Sequence, residues 1–280
     1  MKRFFYGVIV LIFATLFSTT GCTEKTGNKS DSICDSIFQD SLGTDTLETL
    51  LEETAVPKAA DGLFDDFFFN FAANRKLQLS RIAFPLPLNT FGTLSTISKE
   101  QWKPEHFFMR QGFYTQVAGS YDDLESSKNR NITVATVEKV LMPENSVMQY
   151  IFRCTEGLWL LKEMRKQRLE ENVNGEFYAF YNKFMRDSLF RQNSLAENVE
   201  FSGPDPDDDF SRIEGTIMAE QFSMFVPEIP RGTIYNIIYG KQPSMGNQRI
   251  LVLRGVSNGF EIEMIFTKHN GRYLLTALNT

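Results

Sequence analysis

The sequence predicts an α+β protein built from two tandem copies of one small domain, each with helices followed by antiparallel strands. Aromatic residues fall at positions i, i+3, i+4 and i+7 of one predicted helix, and the same spacing returns 113 residues further on. The two sets are Phe64, Phe67, Phe68 and Phe71, then Phe177, Phe180, Tyr181 and Phe184. This spacing places four rings on one face of each helix, where they can cover a sheet.

A β-hairpin recurs near the end of each copy. The predicted turns are Glu156–Gly157 and Asn270–Gly271, which lie 114 residues apart, and Asn-Gly favours the positive φ angles of a two-residue turn. Apolar and polar residues alternate before each turn, from Met148 to Cys154 and from Ile262 to Phe266, as is typical of half-buried antiparallel strands. The offset changes by one residue between helix and hairpin, which indicates a tandem duplication.

The stretch between helix and hairpin differs more between the copies. An earlier strand is predicted at Ile132–Leu141 and again at Arg249–Val256. In the first copy, Phe84–Pro85–Leu86–Pro87 excludes a central strand because proline cannot donate to a ladder. Ser98–Trp102 begins with a capping residue and predicts a short helix. In the second copy, Arg212–Phe225 is the corresponding short helix.

Four segments follow from these patterns: residues 1–21 as a signal peptide, 22–60 as a flexible tether, 61–165 as the first domain and 174–280 as the second. The tether is rich in Ser, Thr, Asp, Glu, Lys and Gly, which is typical of a solvated linker. A short linker without apolar periodicity is predicted from Arg165 to Asn172.

The amino terminus predicts export and lipid attachment. Lys2 and Arg3 precede the uncharged run from Phe4 to Phe17, which fits a signal peptide and is short for a membrane span. Gly21–Cys22 is similar to the end of a bacterial lipobox, which implies cleavage before Cys22 and acylation of its thiol. The alternative is an ordinary secretory signal in which Cys22 is incidental. Several acyl chains on one cysteine would give stable membrane anchoring.

The expected location is the cell envelope, with a membrane as partner through the lipid anchor. Thr23 follows Cys22. By analogy with the sorting rule of Gram-negative lipoproteins, that residue permits transfer to the outer membrane. A disulfide between Cys34 and Cys154 is an open alternative in an oxidising compartment, although nothing else indicates a disulfide framework.

The order of elements from Asp61 to Thr280 resembles the nuclear-transport-factor-2-like (NTF2-like) superfamily. That resemblance implies helices over the concave face of a curved antiparallel sheet, forming a cone. The chain is also similar to a family of uncharacterised Gram-negative lipoproteins known as a domain of unknown function. The stretch Leu77–Ile82 with Phe84–Pro85–Leu86 carries this second similarity. It implies a fold and a location but no activity.

Composition and motifs argue against several functions. The net charge of −6 and pI of about 5.2 give no electrostatic support for nucleic-acid binding. Two histidines and three cysteines are too few for a typical His/Cys metal site. Asp205, Asp207 and Asp209 have the spacing of a calcium loop, but Phe210 and Thr216 stand where glycine and glutamate are required. No metal, cofactor or catalytic residue is therefore predicted.

Two functions remain open at this level. We favour a non-enzymatic protein that binds or scaffolds an envelope ligand such as a peptide, glycan or lipid, over an isomerase or hydratase that uses a cone cavity. Asp65 and Asp66 lie off the phenyl stripe, so we expect them to face water. Residues expected to line a cavity, if either cone keeps one, are Tyr150, Trp159, Met264 and Tyr273.

Overall fold

The computed structural model describes residues 61–205, 207–225, 232–240, 246–256 and 258–280. The predicted signal peptide, the tether and Cys22 lie outside the described residues, so their roles stay predictions. All described residues belong to one compact unit, Thr44–Thr280.

The chain passes twice through a similar order of elements: among the described residues each pass has two helices followed by six strands, and the first pass has a further short helix after its third strand. The first pass contains α1 (Phe64–Ala73), α2 (Arg75–Ser80), β1 (Leu86–Thr90), β2 (Thr93–Ile97), β3 (Phe113–Ala118), α3 (Tyr121–Glu125), β4 (Val134–Leu141), β5 (Ser146–Thr155) and β6 (Leu158–Arg168). The second contains α4 (Gly175–Arg186), α5 (Ser188–Gln192), β7 (Leu195–Asp205), β8 (Asp208–Met218), β9 (Thr233–Tyr239), β10 (Gln248–Gly255), β11 (Glu261–His269) and β12 (Arg272–Asn279). This repetition confirms the predicted tandem α+β architecture.

The strands that the structure describes form two six-stranded sheets, and these sheets exchange one strand with each other. The first sheet has the order β2-β1-β6-β5-β4-β9 and the second has β8-β7-β12-β11-β10-β3. The third strand of each pass therefore completes the sheet of the other pass. Strand β9 pairs with β4 from Leu141↔Thr233 to Ala135↔Tyr239, and β3 pairs with β10 from Ile250↔Ala118 to Gly255↔Phe113. A cut between residues 165 and 174 would separate β9 from the sheet that it completes.

The aromatic stripes of α1 and α4 are buried against the sheets, as the periodicity predicts. In the first core, the ring of Phe64 lies 4.9 Å from that of Trp159, and Phe71 lies 5.2 Å from Phe152. In the second, Phe177 lies 5.3 Å from Phe266. Burying each such ring contributes about 1.5–3 kcal/mol. The exchanged strands also cross into these cores, because Tyr235 of β9 packs in the first and Val117 of β3 in the second.

The interpretation of the proline-rich segment is wrong, because β1 lies between β2 and β6. Pro87 stands opposite Thr96 of β2, and pairing with β6 begins only at Leu88. Bonded and non-bonded pairs alternate from the β1–β2 turn, so Pro87 occupies a non-bonded position on the β2 side. Its missing N–H therefore costs no ladder bond on either side.

Three other local predictions also differ from the structure. Arg212–Phe225 is not a helix, because β8 extends to Met218 and only Phe222–Met224 forms a 3₁₀ turn. The β-branched residues and Gly215 in this stretch favour a strand over a helix. Ser98–Trp102 forms a single turn, closed by the Trp102 N–H and the Ser98 carbonyl at 3.1 Å. The predicted linker is shorter, because β6 continues to Arg168.

A fully buried carboxylate lies where the two passes meet. Glu138 of β4 is 0% exposed. Its Oε1 accepts hydrogen bonds from the side-chain amides of Gln149 at 2.9 Å and Asn172 at 2.6 Å. Its Oε2 accepts from Tyr178 Oη and Asn236 Nδ2, both at 3.0 Å. Two of these donors come from the second pass, so the carboxylate links α4 and β9 to the first sheet.

We predict that Glu138→Gln lowers the free energy of unfolding by about 2–4 kcal/mol, because an amide NH₂ would replace one acceptor oxygen and face buried donors. Urea denaturation followed by circular dichroism measures this change. The matched control is Glu163→Gln, whose carboxylate pairs with Arg165 at 2.9 Å on the surface and should cost no more than about 1 kcal/mol. Equal costs for the two variants would contradict a stabilising role for the network.

Candidate functional site

In the first copy, an ion pair seals the space between the helices and the β5–β6 hairpin. Arg81, just after α2, bonds Asp61 through two contacts, Nη1–Oδ1 at 2.7 Å and Nη2–Oδ2 at 2.8 Å. The side chains of Arg81 and Asp61 are only 16% and 10% exposed. The guanidinium carbon also lies 5.6 Å from the ring centroid of Phe67, within the range of a cation–π contact.

The same ion pair satisfies the free edge of strand β6. The Trp159 N–H donates to Asp61 Oδ1 at 3.1 Å, and Arg81 Nη1 donates to the Trp159 carbonyl at 3.3 Å. Burial would raise the pKa of Asp61, but the hydrogen bonds from Arg81 and Trp159 and the charge of Arg81 outweigh it and hold that pKa below its usual value. We call this arrangement of Asp61 and Arg81 the plug.

In the second copy, Ser194 takes the place of Arg81. The Arg81 carbonyl accepts a hydrogen bond from Leu161 N–H at 2.8 Å, and the Ser194 carbonyl accepts one from Leu275 N–H at 2.8 Å. These two bonds occupy corresponding positions in β6 and β12. A serine cannot reach across the space as an arginine does, and a cleft of about 560 Å³ remains open there.

The second-copy cleft has an aromatic floor and a polar rim. Its lining residues are Glu176, Ala179, Phe180, Lys183, Phe190, Asn193, Ser194, Gly271, Arg272, Tyr273 and Leu274. Phe180 corresponds to Phe67, but it is only partly buried, whereas Phe67 is 1% exposed. The missing plug accounts for this difference, because no guanidinium of the described residues covers the Phe180 ring.

The backbone of Tyr273 presents a donor and an acceptor to this cleft. Asn270 and Gly271 have φ angles of 48° and 78° and form a two-residue turn closed by the pair His269↔Arg272. Tyr273 is the next residue and therefore occupies a non-bonded position, with its N–H and C=O directed away from β11. Pairing with β7 begins only at Leu275. No side chain among the described residues bonds either group.

Three charged residues line the second cleft, and Lys268 adjoins it, at positions that are neutral in the first copy. Glu176, Lys183, Lys268 and Arg272 occupy the positions of Leu63, Asn70, Cys154 and Leu158, at the offsets of 113 and 114 residues. Lys268 Nζ lies 2.6 Å from Glu176. Lys183 and Arg272 form no ion pair within the described part of the chain. The open cleft is therefore bordered by two uncompensated positive charges.

The structure places the four predicted cavity residues in different surroundings. Tyr150, Trp159 and Met264 are packed in the two cores and are at most 3% exposed. The Tyr150 hydroxyl donates to Glu105 Oε2 at 3.0 Å. Tyr273 is the one of the four that lines the described cleft. Sequence reasoning did not single out Arg81 or Ser194, although the 113-residue offset places these two residues opposite each other.

The prediction that Asp65 faces water is wrong. Its Oδ1 accepts a hydrogen bond from the Tyr239 hydroxyl of the exchanged strand β9 at 2.6 Å. Burial raises the pKa of Asp65, and the bond from Tyr239 only partly offsets this effect. Asp66, one residue further, is exposed as expected. Asp65 lies outside the lining of the cleft.

The acidic hairpin between β7 and β8 folds onto itself. Asp205 Oδ1 accepts a bond from the Asp207 N–H at 2.9 Å, and its Oδ2 accepts from Ser211 Oγ at 3.3 Å. Among the described residues, no group of three His, Cys, Asp or Glu side chains is placed to hold a metal ion.

A more open groove of about 800 Å³ lies at the opposite end of the second sheet, bordered by Pro204, Arg212, Phe225 and Phe260. Phe225 directly precedes residues 226–231, which the structure does not describe. The lining of the cleft at Tyr273 is described throughout, and this cleft is the candidate site.

Comparison with known proteins agrees with this architecture. The chain is similar to an NTF2-like protein from Bacteroides fragilis NCTC 9343, with a TM-score of 0.73 and 32% identity, over 80% of this chain and 97% of that one. The fold is thus NTF2-like. The chain matches the model of the family "Domain of unknown function (DUF4348)" over residues 43–280 and belongs to that family. No curated protein matches it. Within the part of the chain that is described, no helix is both long and apolar enough to cross a bilayer.

We predict that Arg81→Ser lowers the free energy of unfolding by about 1–3 kcal/mol at pH 7, because it leaves Asp61 without its partner in a mostly buried position. The surface variant Arg153→Ser should change stability by no more than about 0.5 kcal/mol. Chemical denaturation of the three proteins measures both effects.

The pH dependence of that loss identifies its cause. The pKa of Asp61 is lower in the folded protein than in the unfolded chain. The plug therefore stabilises the fold fully above the unfolded value of about 4 and loses this effect as the pH falls through the lower folded value. The difference in the free energy of unfolding between wild type and Arg81→Ser should therefore shrink as the pH is lowered from about 5 through the folded pKa of Asp61. A constant gap would show that lost packing, not charge, is responsible.

Proposed function

We propose that this protein is a non-enzymatic binding protein of the cell envelope, whose second NTF2-like copy holds a ligand in the cleft at Tyr273. One observation carries the proposal: Ser194 replaces the arginine that plugs the first copy, and this leaves an open cleft over Phe180. The first copy, sealed by its own side chains, has a structural role. A concave site with an apolar floor and a few polar groups is typical of small-molecule and peptide binding.

We further propose that Cys22 carries the lipid that attaches the protein to a membrane, more readily the outer than the inner one. The support is the basic start, the apolar run from Phe4 to Phe17 and the Gly21–Cys22 ending. The polar stretch from Thr23 to Ala60 would then hold the folded part away from the membrane surface.

The alternative, an isomerase or hydratase, requires a carboxyl base that can reach a substrate. Asp65 is one candidate, because burial raises the pKa of its carboxyl group. Its hydrogen bond to Tyr239 and its position outside the cleft make it a poor base for a ligand held at Tyr273. Glu176 lines the cleft, but it is paired with Lys268. Binding without chemistry fits this arrangement better.

Native mass spectrometry of the purified full chain tests the binding proposal. We expect wild-type protein to retain a small ligand that Ser194→Arg loses, because the new side chain would fill the cleft as Arg81 fills the first. Gln192→Arg is the matched control, since it adds the same charge to the exposed face of α5 and should retain the ligand. Equal retention by all three proteins would place the ligand elsewhere and overturn the proposal.

The anchor is tested by separating membranes from soluble protein after expression in a Gram-negative host. We expect wild type in the membrane fraction and Cys22→Ala in the soluble fraction, because the variant has no thiol to acylate. Radiolabelled palmitate should be incorporated only by wild type. Membrane association of Cys22→Ala without label would contradict lipid anchoring.

A further inference from the structure

We infer that the cleft at Tyr273 binds the carboxylate end of an N-acylated amino acid, as found at the C-terminus of a peptide. This inference rests on the proposed binding function and specifies its ligand class. It follows from the plug of the first copy, because the side chains of Asp61 and Arg81 occupy the corresponding site there and show which groups can bond its backbone.

The plug gives the hydrogen-bond pattern. In the first copy, a carboxylate accepts from the Trp159 N–H and a nitrogen donor reaches the Trp159 carbonyl, at 3.1 and 3.3 Å. The corresponding groups of Tyr273 face the cleft, so a ligand there must bring an acceptor and a donor a few ångströms apart. An extended amino-acid residue has this arrangement, because its own N–H and its carbonyl or carboxylate oxygen point to the same side.

The rim indicates that the acceptor is a carboxylate rather than an amide carbonyl. Lys183 and Arg272 line the cleft without ion-pair partners among the described residues, and each replaces a neutral residue of the first copy. Lys268 is paired with Glu176 and lies 5.5 Å from the ring centroid of Tyr273. An internal stretch of peptide would offer these cations no charge, whereas a terminal carboxylate accepts charge-assisted hydrogen bonds.

The floor indicates an apolar or aromatic side chain on the bound residue. Phe180 and Phe190 are partly buried, and their rings lie 5.7 Å apart. In the first copy, a planar guanidinium covers Phe67 at 5.6 Å, so a planar group fits over the equivalent ring. A phenyl ring of the ligand would pack there without adding a third cation to the site.

Ligand-observed NMR on the full chain tests this with three probes of matched shape. N-acetyl-phenylalanine carries both groups, N-acetyl-phenylalanine amide lacks the negative charge, and 3-phenylpropionate lacks the N–H donor. Relative to N-acetyl-phenylalanine, we expect the amide to bind more weakly by on the order of 10-fold or more, because it loses a charge-assisted hydrogen bond. We expect 3-phenylpropionate to bind about 2- to 10-fold more weakly, because it loses a neutral hydrogen bond. Equal affinity of the acid and the amide would overturn the inference.

Two variants, with Gln192→Arg as their control, connect this preference to the cleft. Lys183→Gln should weaken N-acetyl-phenylalanine several-fold and leave its amide unchanged, while Gln192→Arg should affect neither. Ser194→Arg should abolish binding of all three probes. If Lys183→Gln weakens acid and amide equally, or weakens neither, the carboxylate assignment is wrong even where the variant Ser194→Arg fails to fold.

A fourth probe separates the two sources of this chemistry. If N-acetyl-Ala-Ala-Phe binds more tightly than N-acetyl-phenylalanine, the natural ligand is a peptide C-terminus. If the two bind with equal affinity, it is a single acylated amino acid. Both results support the inference. A different outcome in native mass spectrometry is a ligand that the cleft retains and that N-acetyl-phenylalanine does not displace. That result would support the proposed binding function and refute this ligand class.

Discussion

A buried carboxylate must find donors inside the protein, and this requirement at Glu138 governs how the two halves meet. Four donors satisfy its oxygens, and they come from both passes of the chain. The amide of Asn236 serves twice, because its Oδ1 also accepts the Val117 N–H at 2.8 Å. One connected set of hydrogen bonds therefore joins β4 to both exchanged strands. The two copies cannot move apart without leaving this carboxylate unsatisfied.

The duplication could be predicted from sequence because it repeats a strong pattern. Four aromatic residues at helical spacing and a two-residue turn depend on local geometry, which a sequence states directly. The strand exchange could not be predicted in this way. Strands β3 and β9 meet equivalent edges of β10 and β4, and alternation along a strand does not specify which of two similar edges it joins.

The site could be predicted only in part, because its decisive feature is a difference between the copies. The position of Tyr273 at a cavity could be predicted from the alternation of residues along the hairpin strands. The functions of Arg81 and Ser194 depend on what their side chains reach, and that requires knowing that Arg81 spans from Asp61 to Phe67. Asp65 shows the same limit. Its position in the helix indicates a face, but the exchanged strand β9 covers that face with Tyr239.

The copies also differ in how they use their free strand edge. In the first copy, the backbone of Trp159 is bonded by the protein's own side chains, which closes the site and stabilises the fold. In the second copy, no described side chain bonds the corresponding groups of Tyr273, and the proposed ligand would satisfy them. Sites that bind ligands commonly give up local stability in this way, while the scaffold around them remains rigid.

The crossed strands also bear on how the chain folds as it is made. Strand β4 leaves the ribosome about a hundred residues before β9, and at typical elongation rates this interval lasts on the order of 5–20 seconds. During that time the outer N–H and C=O groups of β4 have no ladder partner, and Glu138 lacks the donor that Asn236 supplies. The first sheet of the nascent chain therefore has an unpaired edge strand that could pair with another chain. The sheet is completed only after the second half has been translated.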